Sequence, residues 1–312
     1  MNLDNFENIL REKANAEILY ITKSGSSLYG TDNENSDSDY VVIYKPNFRD
    51  LIFGSYEKSF SHNTSKEKNS KDDIDIYFIS VQEFFDKLNK GDTNSIEILF
   101  SFFSRSVIYY NNTFYDFVTK NYNKLFTNNY ESLYRYYTSQ NERFGGIHSK
   151  YSEVLKMFDF LWNYKEGLPE DFLDIVNEKF KDFKHINIID GSLVVDKMKF
   201  KYLSYDVLFN KLDKYLEDRL SKIEIHSSQK GLYHFPRISL MTLELLETNF
   251  IKFPFVYADT LKKVKRLELP LSKVIKISYD AHQASEKLKN NEIIYQDKNK
   301  VFELFSILYK LI

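Results

Sequence analysis

The sequence predicts an α+β chain: a small α/β unit with a mixed sheet, followed by a mostly helical region. Two observations carry that prediction. Up to residue 110, short apolar runs of strand length alternate with stretches of helical periodicity; beyond Thr113 the pattern is almost wholly helical and dense in aromatics. We therefore expect one domain over 1–110 and a second, mostly helical domain over 111–312, with a β-like insertion near 186–200.

Residues 3–16 read as an amphipathic helix, because Leu3, Phe6, Ile9, Leu10 and Ala14 recur at helical spacing. Ile18–Lys23 reads as a strand, Ser26–Tyr29 as a turn or short helical start, and Asp39–Tyr44 as the next strand, closed by Pro46. The polar stretch from Ser59 to Lys71 reads as a surface loop. In the strand that follows, Ile74, Ile76 and Phe78 alternate with Asp73, Asp75 and Tyr77, which puts the two acids on one face. A helix from Val81 to Asn89 ends at the turn Gly91-Asp92-Thr93-Asn94, which caps a further helix over Ser95–Phe100. After an apolar run at Val107–Tyr110, helical patterns cover Thr113–Tyr164, Tyr205–Ile223, Gly231–Glu247, Leu271–Leu288 and Lys300–Leu311. Ile186–Phe200 is β-like around Gly191.

At 312 residues and 43% hydrophobic, the chain can build one large or two ordinary cores. No apolar run is long enough for a membrane span, and Met1–Glu7 lacks the basic start and apolar core of a secretory signal. With 0 Cys, disulfides, thiolate metal sites and cysteine nucleophiles are excluded. His62, His148, His226 and His282 show no zinc-ligand spacing. A cytoplasmic setting is expected, in a bacterium or a phage-infected host, since the heavy use of Lys, Asn, Ile, Tyr and Phe resembles the product of an AT-rich genome. A net charge of −2 supplies no global field for nucleic acid, so a polynucleotide partner would need a local patch. The basic run Lys262-Lys263-Val264-Lys265-Arg266 is one candidate, and a solvated helix face is the plainer reading of it.

The chemistry concentrates between the first two strands. Gly25-Ser26 makes a small-residue turn, and Asp37-Ser38-Asp39 follows after a short loop that contains Gly30. Strand alternation points Asp37 and Asp39 the same way, and two aligned carboxylates beside such a turn suit Mg²⁺ and a nucleoside triphosphate. Phosphoryl chemistry asks for two or three carboxylates on rigid strands, plus donors for the phosphates. Asp73 or Asp75 supplies the third carboxylate, and the spacing leaves both open.

These residues resemble the DNA polymerase β-type nucleotidyltransferase superfamily, whose signature is a Gly-Ser turn followed by Asp-x-Asp. A narrower resemblance is to its bacterial and phage branch of RNA-repair-associated, RlaP-like nucleotidyltransferases. It rests on Asp73-Ile74-Asp75-Ile76-Tyr77, the run from Phe84 to Lys90-Gly91, and Ile96-Glu97-Ile98-Leu99-Phe100. Asp92-Thr93 stands where that branch has Asn-Pro. Tyr130–Gln140 and Lys230–Ile238 are similar to its later helical segments, whereas 144–228 carries no match.

The resemblance implies that 1–110 is a nucleotidyltransferase catalytic domain using two Mg²⁺ ions and an NTP. It implies Asp37, Asp39 and Asp75 as metal ligands, with Asp73 the alternative third acid, and Gly25 and Ser26 at the triphosphate. Lys230, His234 and Arg237, at i, i+4 and i+7 of a helix, would meet nucleotide or acceptor phosphates. An RNA or tRNA 3′ end is the first acceptor it suggests. The alternatives are protein or small-molecule adenylylation, or a catalytically silent accessory protein that binds nucleotide or RNA. Tyr29 could stack on a base or pack in the core.

Overall fold

The computed structural model describes residues 3–34, 36–64, 73–125, 149–220 and 225–269, with single positions from 273 to 306. The chain divides into two units, one of Met1–Tyr134, Met241–Lys262 and Ser285–Ile312, the other of Arg135–Leu240 and Lys263–Ala284.

In the first unit, α1 (Leu3–Lys13) buries Phe6 and Leu10. Then come β1 (Ala16–Lys23), α2 (Gly25–Tyr29), β2 (Ser38–Pro46), α3 (Phe48–Phe53), β3 (Ser59–Asn63), β4 (Ile74–Ser80), α4 (Val81–Asn89), α5 (Thr93–Ser101), β5 (Val107–Tyr110) and α6 (Asn112–Leu125). The strands form a five-stranded sheet in the order β3-β4-β2-β1-β5. It is mixed, as expected: β2 and β4 run parallel, and the other neighbours are antiparallel. The α+β class read from the sequence is the class of the structure.

Alternation divides the sheet's side chains between two faces. Tyr40, Val42 and Tyr44 of β2, with Ile76 and Phe78 of β4, meet Phe6 and Leu10 of α1. Truncating a buried aromatic such as Phe6 to alanine would cost about 3–5 kcal/mol. Asp39, Val41 and Ile43, with Asp75, Tyr77 and Ile79, take the other face. There α4 packs on β2 and β4, and Lys87 Nζ donates to Tyr77 Oη at 2.9 Å. Side-chain caps fix the helix starts: Ser80 accepts from Glu83 N–H at 3.3 Å, and Asp92 from Ser95 N–H at 2.9 Å.

Two elements differ from the sequence expectation. The polar stretch read as a loop opens with the edge strand β3, anchored by Phe60 stacked on Phe78 at 4.6 Å between ring centroids. Main-chain pairing with β4 over Ser59–Asn63 supplies the rest of its hold, so no apolar alternation shows in its sequence. The short helix α3 is specified by its ends, with Asn47 accepting from Asp50 N–H at 2.8 Å and Gly54 closing it in the left-handed region. Its Phe48, Ile52 and Phe53 are exposed and give no inward-facing stripe.

The second unit contains α7 (Ser149–Leu161), a 3₁₀ turn at Trp162–Tyr164 and α8 (Phe172–Lys179). It continues with β6 (Ile186–Ile189), β7 (Ser192–Val195), β8 (Met198–Phe200) and α9 (Tyr205–Leu220). The β-like stretch around Gly191 is a three-stranded antiparallel meander, with Asp190 and Gly191 at positive φ in its first hairpin. Its core joins Phe158, Phe172, Leu193, Phe200, Leu208 and Leu212. Next, α10 (Ile225–Thr248), whose residues from Met241 onward belong to the first unit, continues through Pro236, where the sequence suggests a kink; α11 (Ala258–Lys265), of which Ala258–Lys262 belong to the first unit, carries most of the basic run. Tyr130–Gln140 lie outside the described residues, as do most of 271–288 and 300–311. No helix among the described residues is long and apolar enough to cross a membrane.

Candidate active site

Strand β1 ends at Lys23, opposite Tyr40, and the chain turns at once into α2. Ser24 N–H donates to the Asp39 carbonyl at 2.9 Å, which ties the start of the turn to β2. Gly25 has φ +56°, and a Cβ built on it would lie 2.0 Å from Asp39 Oδ2. Both the backbone conformation and the close approach therefore require glycine here. The turn ends at Gly30, where a Cβ would lie 2.8 Å from Pro254 Cβ, and Phe255 N–H donates to the Tyr29 carbonyl at 3.1 Å.

Beside this turn, Asp37, Asp39 and Asp75 each offer a carboxylate oxygen, and all three atoms lie within 4.8 Å of one another. All three residues are half-buried. The parallel pairing places Asp39 and Asp75 in register, so their side chains leave the same face of the sheet as neighbours. Three carboxylates this close repel one another, and a divalent cation relieves that repulsion. The donor set is all oxygen, which suits a hard ion such as Mg²⁺. Ser26 Oγ, in the first turn of α2, is shielded from solvent and has no hydrogen-bond partner within the protein among the described residues.

The geometry thus groups Asp75, and not Asp73, with Asp37 and Asp39. Asp73 precedes the first residue of β4, is buried at 6% exposure, and accepts from Ser38 N–H at 3.0 Å through its carbonyl. Its carbonyl thereby joins the parallel pairing at the end where Asp37 and Asp39 lie.

Tyr29 is packed rather than free to stack on a base. It is 5% exposed, lies edge-on to Phe253, and donates its hydroxyl to Glu97 Oε2. Glu97 stands on α5, which is buried along most of its length, and is itself 9% exposed. Burial, together with the nearby charge of Asp92, raises its carboxyl well above the ordinary range. The sequence alone gives Glu97 no role. The available signal was an acid in the otherwise apolar run Ile96–Phe100.

Lys230, His234 and Arg237 lie on α10 in the second unit. The described side chains bring two of them together, with Arg237 Nη2 3.3 Å from His234 Nδ1. Burial lowers the Arg237 guanidinium to about 9. The side chain of Lys230 lies outside the described residues.

A model of the RNA repair pathway DNA polymerase beta family matches residues 2–156. An uncharacterised 38.9 kDa protein of Enterobacteria phage T4, from the nrdC-mobD intergenic region, is 26% identical over 285 residues, spanning 80% of this chain and 83% of that protein. No solved structure matches the chain. A polymerase β-like family supports a general nucleotidyltransferase role and, with it, binding of an NTP. The matched residues take in the whole acidic cluster and the turn beside it, and over 2–156 the chain is similar to the RNA repair pathway DNA polymerase beta family.

Proposed function

We propose that the protein is a Mg²⁺-dependent nucleotidyltransferase that moves a nucleoside monophosphate from an NTP to an acceptor hydroxyl and releases pyrophosphate. The observation that carries this reading is the cluster of Asp37, Asp39 and Asp75 beside a turn whose Gly25 abuts the Asp39 carboxylate. The acceptor oxygen forms a bond to the α-phosphorus as the bond from that phosphorus to the β-phosphate bridging oxygen breaks. The hydroxyl proton leaves to a carboxylate or water. Mg²⁺ held by Asp37, Asp39 and Asp75, two ions in the full site, would supply the charge neutralisation this transfer needs.

The remaining roles belong to the chain's own atoms. Asp75 orients the acceptor side and helps take the proton. Gly25 lets the backbone approach the triphosphate, and Ser26 gives it an N–H and the buried Oγ. Asp73 supports the strand pairing beside the site through its carbonyl. Lys230, His234 and Arg237 contact phosphates of the nucleotide or the acceptor, the reading that their helical spacing supports. Residues 1–110 form the catalytic domain and 111–312 the mostly helical one. The acceptor is the 3′ end of an RNA, with tRNA the first to test, and the setting is the bacterial or phage-infected cytoplasm.

Incubation of the protein with each labelled NTP, total RNA, and Mg²⁺ or Mn²⁺ tests this reading, with a lysate protein fraction in parallel. Label in RNA that disappears in the double variant Asp37→Asn with Asp39→Asn supports it. Label in protein alone would replace the RNA acceptor with adenylylation of protein. Transfer that survives the double variant would remove the enzymatic reading.

A further inference from the structure

The five-residue helix α2 is too short to hold its shape alone, so its geometry is set by what it packs on. Two of its attachments are main-chain bonds: Ser24 N–H to the Asp39 carbonyl, and Phe255 N–H to the Tyr29 carbonyl. A third is a side-chain bond, from the Tyr29 hydroxyl to Glu97. Tyr29 stands three residues after Ser26, close to one helical turn. Any rotation of α2 that moves the tyrosine ring therefore moves Ser26 as well.

A leucine at position 97 would match its neighbours Ile96, Ile98, Leu99 and Phe100, and would avoid the cost of removing a carboxyl group from water. The acid also makes a specific bond to the turn that abuts Asp39. We infer that Glu97 is a positioning residue for nucleotide transfer: by accepting the Tyr29 hydroxyl bond it fixes α2 in the orientation in which Gly25 and Ser26 receive the triphosphate. This inference rests on the nucleotidyltransferase reading. It assigns a role to a residue on α5 that is not among the three clustered carboxylates.

The test is equilibrium binding of Mn²⁺ alone, and of Mn²⁺ with a nonhydrolysable NTP, to the full chain and its variants at matched folded fraction. Tyr29→Phe and Glu97→Leu should each weaken nucleotide binding roughly tenfold, the effect of losing one hydrogen bond to a buried carboxyl. Their affinity for Mn²⁺ alone should stay at the wild-type value. Glu97→Gln keeps the acceptor and should restore the affinity that Glu97→Leu loses. The pair Tyr29→Phe with Glu97→Leu should lose less affinity than the two single losses combined, because both remove this bond.

Wild-type protein that binds no Mn²⁺–nucleotide would overturn the nucleotidyltransferase reading and this inference with it. Wild-type binding matched by folded Tyr29→Phe and Glu97→Leu would overturn the inference alone. A parallel loss of affinity for Mn²⁺ alone would make Glu97 a general structural residue and overturn its positioning role.

Discussion

Asp39 and Asp75 are in-register neighbours across the parallel β2–β4 pair, and their carboxylates converge with that of Asp37. The pairing explains why the two acids share a face although they are far apart in sequence. It also separates the roles of Asp73, which precedes β4, and Asp75, which lies within it.

Asp75→Asn should lower Mn²⁺ affinity more than about 100-fold, beyond the range seen for groups that merely support a ligand. Asp73→Asn should leave Mn²⁺ affinity unchanged, because the clustered carboxylates are those of Asp37, Asp39 and Asp75. Calorimetric titration of both variants with Mn²⁺ checks the contrast, and equal losses would contradict the assignment of Asp75.

Without added metal, Asp39→Asn should unfold at the wild-type temperature or slightly above it, because one repelling charge leaves the cluster. With saturating Mn²⁺, the wild type should gain thermal stability and the variant should gain little. Thermal melts with and without Mn²⁺ check this, and an equal metal-induced shift in both proteins would count against Asp39 as a ligand.

Gly25→Ala should abolish nucleotide transfer and destabilise the fold. The left-handed φ costs roughly 1–2 kcal/mol for a residue with a Cβ, and a Cβ 2.0 Å from Asp39 Oδ2 forces the carboxylate out of place. Denaturant unfolding together with Mn²⁺ titration checks both effects. Normal metal affinity in the alanine variant would show that Asp39 can be displaced without consequence.

The raised Glu97 carboxyl predicts how stability varies with pH. Its folded-state value lies above its unfolded one, so this group's contribution is full below the ordinary glutamate value of 4.5 and falls as pH rises through the folded value. Glu97→Gln should remove that slope. Variant and wild type should match in acid, and the variant should be the more stable at mildly alkaline pH. Urea unfolding across that range measures the difference, and parallel curves would contradict the raised value.

The turn and its two following aspartates were legible because they occupy a short stretch, Gly25 to Asp39, between strands with clear apolar runs. The third carboxylate was legible only as a pair, since Asp73 and Asp75 share the parity that strand reading depends on. Where β4 begins, at Ile74, decides between them, and a one-residue boundary is set by pairing with β2 rather than by local preference. Glu97 escaped because its partner Tyr29 lies on a different element. The edge strand β3 and the short helix α3 escaped because one is held by main-chain pairing and a single aromatic and the other by its caps. For Lys230, His234 and Arg237 the helical spacing was legible, while what they face depends on contacts that the spacing does not encode.

The parallel pairing of β2 with β4 also fixes when the cation-binding cluster can exist during folding. Gly25, Asp37 and Asp39 belong to the antiparallel β1–β2 pair and its connecting turn, a local structure that needs only modest loop closure. Asp75 arrives only after the chain has crossed through α3 and β3 and returned to lie beside β2. Such non-local pairing is slow. The full cluster is therefore a reporter of completed topology, and Mn²⁺ added during refolding would mark the moment that crossover closes.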